Sequence, residues 1–211
     1  LIMSKDNLAQ GIFNCMFYLT MDNLEKSLLI PDEAFDKMFD LYNEIKDDKI
    51  VEFINQLKQN DITKIKKRTL INLIFLYNYS KTIIETLIRE DVTSFNDYNF
   101  VRLISPKIEN DSFMLHFMSF AIEYGYEYVG LQNNFLIMPE SEKMYLSFAL
   151  SINYKKPFQI YGLNNGTKKE TIKTLAHLCG KRINYFFATS YFSLESFNKI
   201  YYANKKTGCW L

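Results

Sequence analysis

The residues best suited to chemistry in this sequence are a glycine and a lysine, Gly162 and Lys168. Gly162 follows the short apolar stretch 157–161, and a helical pattern begins just after Lys168. Phosphate-binding loops of the form G-x-x-x-x-G-K-[S/T] occur at such a junction of strand, loop and helix. In these loops the backbone N–H groups surround phosphate oxygens, and the lysine neutralises their charge. The spacing therefore predicts a nucleotide-binding loop over residues 162–169.

Two positions of this loop depart from the pattern in ways that change its chemistry. Thr167 replaces the second glycine, so a β-branched side chain adds bulk and stiffness where the backbone must approach phosphates. Gly166, immediately before it, partly compensates. Lys169 replaces the hydroxyl that holds Mg²⁺, and an ammonium has no lone pair for a cation, although it can itself pair with a phosphate. We therefore expect nucleotide either not to bind or to bind without turnover.

The candidate nucleotide-binding residues of the loop are Gly162, Asn164, Asn165, Gly166, Thr167, Lys168 and Lys169. Lys168 and Lys169 have an alternative interpretation as solvated loop lysines, and the residues alone leave both open. We assign no catalytic residue and no metal ligand. The two histidines, His116 and His177, lie far apart and have no cysteine partners at the spacing of a zinc site.

Alternating strands and helices are predicted around the loop, which favours a parallel sheet. The predicted elements are an extended segment at 123–130, strands at 135–138, 157–161 and 184–189, helices at 141–152, 170–179 and 193–203, and a final strand beginning at Gly208.

The first part of the chain is predicted to be helical. A helix begins near Pro31 and continues through an apolar face at 35–42, and further helices cover 50–57 and 61–89 with Asp61 as N-cap. A turn at 95–98 leads to a short helix that Pro106 ends. The predicted fold class is α plus α/β, with a helical region at 1–120 and an α/β unit at 121–211.

The composition excludes some classes of partner. Of the side chains, 48% are hydrophobic, and 25 basic residues balance 24 acidic ones, so no bulk charge attracts nucleic acid or an anionic membrane. The basic cluster Lys64, Lys66, Lys67 and Arg68 is interpreted as a solvated helix face rather than a nucleic-acid site. No apolar run has the length of a membrane span. We expect the sequence to be a piece of a longer one from a reducing compartment.

The sequence resembles the dynein heavy chains, where Y-G-Y-E-Y-L-G is followed by L-V-I-T-P, G-P-A-G-T-G-K-T-E-T and G-x-W-x-C-F-D-E-F-N. Residues 124–130 read Y-G-Y-E-Y-V-G, and residues 136–139, 162–171 and 208–210 fall at the later elements. The spacing from Gly130 to Trp210 agrees without a gap. The resemblance covers about residues 60 to 211.

The resemblance implies that residues 1–120 are the end of the dynein linker. Residues 121–211 would then be the N-terminal half of the first AAA+ ATPase module, with ATP or ADP as ligand and Leu136 and Ile137 against the adenine. The metal-holding acids of the family lie beyond Leu211, so we expect no ATP hydrolysis by this chain alone and no Mg²⁺ at Lys169.

In dyneins, ATP turnover in this module moves the linker and drives movement along microtubules. The implied partners are the rest of the heavy chain and the dynein light and intermediate chains, with microtubules bound only through the parent chain. The implied location is the cytoskeleton, in a cilium or axoneme rather than the general cytoplasm. The alternative is a non-catalytic dynein-like scaffold or a divergent remnant. An unrelated P-loop kinase or GTPase would not explain residues 124–130.

Overall fold

The computed structural model describes residues 9–59, 62–130, 141–162 and 167–211. Eight α-helices and three strands occur in these ranges: α1 Ala9–Ser27, α2 Ala34–Asn43, α3 Ile50–Leu57, α4 Lys64–Arg89, α5 Tyr98–Val101, β1 Ile104–Glu109, β2 Ser112–Phe117, β3 Phe120–Glu123, α6 Glu142–Asn153, α7 Lys168–Leu178 and α8 Leu194–Thr207. A 3₁₀ turn, Pro31–Glu33, precedes α2, and a π-helical turn, Glu44–Lys49, joins α2 to α3. None of the described helices is both long and apolar enough to cross a membrane.

The helical region packs around α4. Helices α1, α2 and α3 each contact α4. The buried side chains of this core include Phe13, Phe17, Met21, Met38, Leu70, Leu73 and Leu76. The predicted N-cap of α4, Asp61, lies outside the described residues. The helix begins instead at Lys64, and the Thr63 hydroxyl accepts a bond from the Lys66 backbone N–H at 3.3 Å. The basic cluster at 64–68 is exposed.

A three-stranded antiparallel sheet lies where the sequence predicted a short helix ended by Pro106. Strand β2 is central, and Ile104 opposite Phe117 and Glu109 opposite Ser112 fix its register with β1. Helix α5 is shorter than predicted and ends at Val101. The prediction was wrong because Pro106 is tolerated on an edge strand, where its missing N–H interrupts no ladder on the open side.

The predicted parallel sheet is not formed in the part of the chain that the structure describes. Segments 157–161 and 184–189 are extended but carry no strand pairing, and the parallel contact is a single bridge between Ile183 and Trp210. The Trp210 N–H donates to the Arg182 carbonyl at 2.9 Å. A strand requires a hydrogen-bonded neighbour, and the described residues offer these segments too few. The strand predicted at 135–138 lies outside the described residues.

The three helices predicted in the second half are confirmed. Helix α6 buries Tyr145 and Ala149 on its inner face, and α7 buries most of its last two turns. Helix α8 runs four residues beyond the predicted end at 203, to Thr207. Gly208, predicted to begin a strand, is instead the left-handed C-cap of this helix, with a φ of 71°.

Candidate functional site

The predicted phosphate loop leads directly into the head of α7. Gly162 and Thr167 are exposed on either side of the undescribed loop residues, and α7 begins at Lys168. The Thr167 hydroxyl does not cap the helix, but its carbonyl accepts bonds from the Thr171 N–H at 2.9 Å and the Thr171 hydroxyl at 3.0 Å. The first N–H groups of a helix have no intrahelical partner, so the head of α7 offers donors of the kind that bind anions.

Several of the predicted site residues cannot be located. Asn164, Asn165 and Gly166 of the loop lie outside the described residues, and so do Leu136 and Ile137, predicted to contact adenine. Their proposed contacts with a nucleotide therefore stay predictions.

The Lys168 ammonium donates to the carbonyl of Gly162 at 2.6 Å. This bond joins the first turn of α7 to the start of the loop. Lys168 is half-buried, so its charge stays close to the loop backbone. The ammonium has three N–H donors, so two remain for other acceptors such as phosphate oxygens.

The Lys169 ammonium lies over two aromatic rings. Its Nζ atom is 5.3 Å from the ring centroid of Tyr185 and 5.1 Å from that of Phe187. Lys173 adds a third contact of this kind, 5.6 Å from the Tyr185 ring. Burial, with a smaller contribution from Glu170, raises the pKa of Tyr185 to about 12, so the phenol is neutral at pH 7. Cation–π contacts at exposed sites contribute about 0.5–1 kcal/mol each.

The charges at the head of α7 suit an anion and do not suit Mg²⁺. Lys168, Lys169 and Lys173 place three ammonium groups along the first two turns, and Glu170 pairs with Lys173 at 2.8 Å. An ammonium repels a cation and cannot ligate it. The described residues hold no group of three or more histidine, cysteine or acidic side chains that could bind a metal. Lys169 stands at the position of the hydroxyl in the G-x-x-x-x-G-K-[S/T] pattern.

An apolar cavity of about 240 Å³ lies behind α7, lined among others by Phe148, Phe158, Ile172 and Trp210. The ring of Phe148 is 5.5 Å from that of Phe158 and 5.0 Å from that of Trp210. Trp210 is thus a packing residue. Phe186 is also packed, stacked on Phe192 with ring centroids 5.1 Å apart.

The other end of α7 is held by residues 124–130, which we name the tyrosine segment. The Gly125 N–H donates to the Cys179 carbonyl at 2.8 Å, and the Glu127 N–H donates to the Gly180 carbonyl at 3.0 Å. The His177 Nε2 atom lies 2.9 Å from the Gly130 carbonyl. Cys179 is fully buried, and burial raises the pKa of its thiol to about 12. Sequence analysis identified this segment by resemblance and missed its role as a cap for α7.

Residues 124–211 match the protein family described as the hydrolytic ATP binding site of dynein motor region. The match begins at Tyr124 of the tyrosine segment and includes the loop and α7. This finding supports a relationship to the dynein heavy chains. It agrees with the predicted nucleotide-binding character of the loop.

Individual relatives are dyneins as well. The chain is 22% identical over 212 residues to the dynein-1-beta heavy chain, flagellar inner arm I1 complex, of Chlamydomonas reinhardtii, which covers 98% of this chain and 5% of that protein. It is 22% identical over 154 residues to human dynein axonemal heavy chain 1, covering 73% of this chain and 4% of that protein. Cytoplasmic dynein 2 heavy chain 1 of Caenorhabditis elegans is 23% identical over 163 residues, covering 77% of this chain and 4% of that protein.

The chain therefore spans about 5% or less of the length of these curated relatives. Both axonemal and cytoplasmic dyneins occur among them.

Proposed function

We propose that this chain is part of a dynein-type heavy chain, in which ATP drives movement along microtubules. Residues 1–120 form the end of the linker, and residues 121–211 form the N-terminal half of the first AAA+ module. The observation that carries the proposal is the family match over 124–211, together with a Gly162–Lys168 loop that enters the head of a helix. The loop is weakened for nucleotide and has lost the use of Mg²⁺.

The site would hold the phosphates of ATP or ADP through a small set of groups. Lys168 would donate a further N–H to a phosphate oxygen, and the N–H groups at the head of α7 would donate to the same anion. Lys169 would add charge but no metal. Leu136 and Ile137 would contact the adenine. We propose binding without hydrolysis by this chain alone, because none of these groups activates a water molecule.

The parent protein is proposed to act at the cytoskeleton, in a cilium or axoneme rather than the general cytoplasm. Its partners would be the rest of the heavy chain and the light and intermediate chains, and its microtubule contact would lie outside this segment. These properties belong to the whole motor, of which this chain represents a small fraction.

A second candidate function is a non-catalytic scaffold that retains the module for its shape. It is favoured by the fact that both loop lysines already have partners within the fold. Lys168 bonds to the Gly162 carbonyl, and Lys169 lies over the rings of Tyr185 and Phe187. In a scaffold these contacts would close the loop permanently.

Titration calorimetry with ATP, with and without Mg²⁺, tests the proposed function. We expect the wild-type chain to bind ATP weakly and equally with and without the ion. The double variant Thr167→Gly/Lys169→Thr restores the family pattern, and its affinity with Mg²⁺ should be at least about tenfold higher. Lys173→Ala is the matched control, because it removes a neighbouring ammonium and leaves the loop pattern unchanged.

The outcomes separate the two candidate functions. Strong ATP binding by the wild-type chain only in the presence of Mg²⁺ would refute a weakened, metal-independent site. Absence of binding in the wild-type chain, with binding in the double variant, would support the scaffold. Absence of binding in both would contradict a nucleotide site at this loop.

A further inference from the structure

A single phenol oxygen, that of Tyr124, lies between α1 and the end of α7. It accepts hydrogen bonds from the Gln10 amide at 2.6 Å and from the Asn14 amide at 2.8 Å, so two side chains of α1 converge on it. The ring of the same tyrosine covers Gly180, where an added Cβ would overlap the ring atoms. Tyr124 is only 8% exposed. One side chain therefore contacts both helical units at once.

The Gln10 side chain binds the tyrosine segment at three points. Besides the Tyr124 hydroxyl, its amide nitrogen donates to the Glu127 carbonyl at 3.0 Å, and its oxygen accepts the Val129 N–H at 2.9 Å. Gln10 is 5% exposed. Burying an amide is costly unless its donors and acceptors are satisfied, and here they are. Such a network fixes one relative position of α1 and the segment.

The segment is attached to α7 as firmly as to α1. It donates to the carbonyls of Cys179 and Gly180 and lies beside His177, while the Arg182 N–H donates to the Glu127 carboxylate at 2.7 Å. Cys179 is the C-cap residue of α7 and Gly180 follows it, so these bonds hold the segment against the C-terminal end of the helix. The His177 ring also meets Phe13 of α1 edge-on, with centroids 5.8 Å apart.

We propose that the tyrosine segment is a joint that makes α1 and the C-terminal end of α7 open and close together. Tyr124 is its positioning residue. Opening at α7 removes the donors and acceptors that hold the segment, and the segment then no longer satisfies Gln10 and Asn14. Opening at α1 breaks the bonds of Gln10 and Asn14 to the segment, and the segment then holds the C-terminal end of α7 less firmly. The coupling is reciprocal because it is a free energy shared by both ends.

Amide hydrogen exchange of the intact chain, read by mass spectrometry, tests the joint. Asn14→Ala removes a contact on α1 that is distant in sequence from α7. We expect the amides at 176–181 to exchange about fivefold faster in this variant, because local opening of their hydrogen bonds becomes easier. Asn23→Ala is the matched control, since Asn23 is an exposed residue of the same helix outside the network.

A second pair of variants distinguishes the proposed coupling from a general folding defect, because each removes one hydroxyl and keeps the aromatic ring. Tyr124→Phe removes the shared acceptor and leaves the ring on Gly180, and exchange should rise in both α1 and residues 176–181. Tyr126→Phe removes a matched hydroxyl that accepts the Phe113 N–H at 2.8 Å, and it should leave α1 unchanged. Faster exchange confined to α1 in Asn14→Ala and Tyr124→Phe would overturn the proposal. The experiment uses no nucleotide, so its result is independent of the function proposed above.

Discussion

Gly180 shows how one residue at the end of α7 meets two separate demands. Its φ of 58° lies in the left-handed region, and the ring of Tyr124 occupies the space of any added side chain. Gly208 at the end of α8 has a similar φ of 71°, but nothing lies within 4 Å of its missing Cβ. Alanine substitutions at the two glycines therefore distinguish the free-energy cost of a left-handed backbone from the cost of steric overlap with the Tyr124 ring.

We expect Gly180→Ala to destabilise the chain by about 2–5 kcal/mol, because left-handed strain and overpacking add together. Gly208→Ala should lose only the backbone part, about 1–2 kcal/mol. Urea unfolding followed by circular dichroism measures both values. Equal losses for the two variants would show that the Tyr124 ring moves aside at little cost.

His177 makes the stability of the chain depend on pH. Burial lowers its pKa from the ordinary value of 6.5, and the hydrogen bond to the Gly130 carbonyl opposes this shift. A carbonyl only accepts, so Nε2 carries the proton of the neutral ring. Because the folded chain disfavours the charged ring, the unfolded chain binds the extra proton at higher pH. Stability contributed by the neutral ring is full above pH 6.5 and falls as pH decreases toward the lowered pKa.

We expect the loss of unfolding free energy between pH 7 and pH 5 to be smaller in His177→Gln than in the wild-type chain. Glutamine keeps a donor for the Gly130 carbonyl but does not titrate. Urea unfolding at a series of pH values provides the measurement, with His116→Gln as the control for the other histidine. A wild-type pH dependence preserved in His177→Gln would contradict the assignment.

At the scale of elements, the hairpin of β1 and β2 depends on an unusual turn. Asn110 and Asp111 both have positive φ, at 48° and 60°, as a type I′ turn requires. Asparagine and aspartate tolerate this conformation, whereas β-branched residues do not. The turn therefore sets the register that opposes Glu109 to Ser112.

Asp111→Thr should destabilise the sheet by about 1–2 kcal/mol, because a β-branched side chain is placed at positive φ. Ser112→Thr, one residue later in the extended strand, should change stability by less than about 0.5 kcal/mol, since β-branched residues suit strands. Thermal unfolding of both variants tests the difference. A similar melting temperature for the two would mean that the turn tolerates the branched residue by changing its type.

The helices could be predicted from the sequence because their signals are local. Helix α7 begins two residues before its predicted start, and α6 begins within a residue of it. The hairpin could have been found as well, because Asn110-Asp111 stands before the alternating Phe113, Leu115 and Phe117. A local pattern could not establish the strands predicted at 157–161 and 184–189, because strand pairing depends on segments that are distant in the sequence. In segment 157–161, Phe158 and Ile160 are half-buried and the residues between and beside them are exposed. The alternation typical of a strand is therefore present, but the strand pairing is not.

The start of α7 was predictable from the sequence, whereas the contacts of its lysines were not. The Gly162 to Lys168 spacing located the head of α7, because that pattern is a short-range property of the chain. The partners of Lys169 are Tyr185 and Phe187, which reach it only through the fold. Substitution at the metal position was visible in the sequence, but the rings that hold the new ammonium were not.

At the scale of the whole molecule, the chain has a well-packed helical region and a more open second part. The buried core is concentrated on α1 and α4, whereas Phe187, Tyr191 and Leu194 around the start of α8 are largely exposed. These apolar side chains are close in sequence and lie uncovered among the described residues. The tyrosine segment links the two parts despite their uneven packing, because it is hydrogen-bonded both to α1 and to the C-terminal end of α7.

The burial of Cys179 makes its thiol a reporter of local unfolding. Its sulfur is protonated and inaccessible while the backbone around it is intact, whereas Cys15 on α1 is open to solvent. Thiolates, not thiols, attack alkylating reagents, so modification of Cys179 requires that its surroundings first come apart. Iodoacetamide should label Cys15 at once, which provides the reference. The slower rate at which it labels Cys179 would therefore measure how often the C-terminal end of α7 unfolds locally.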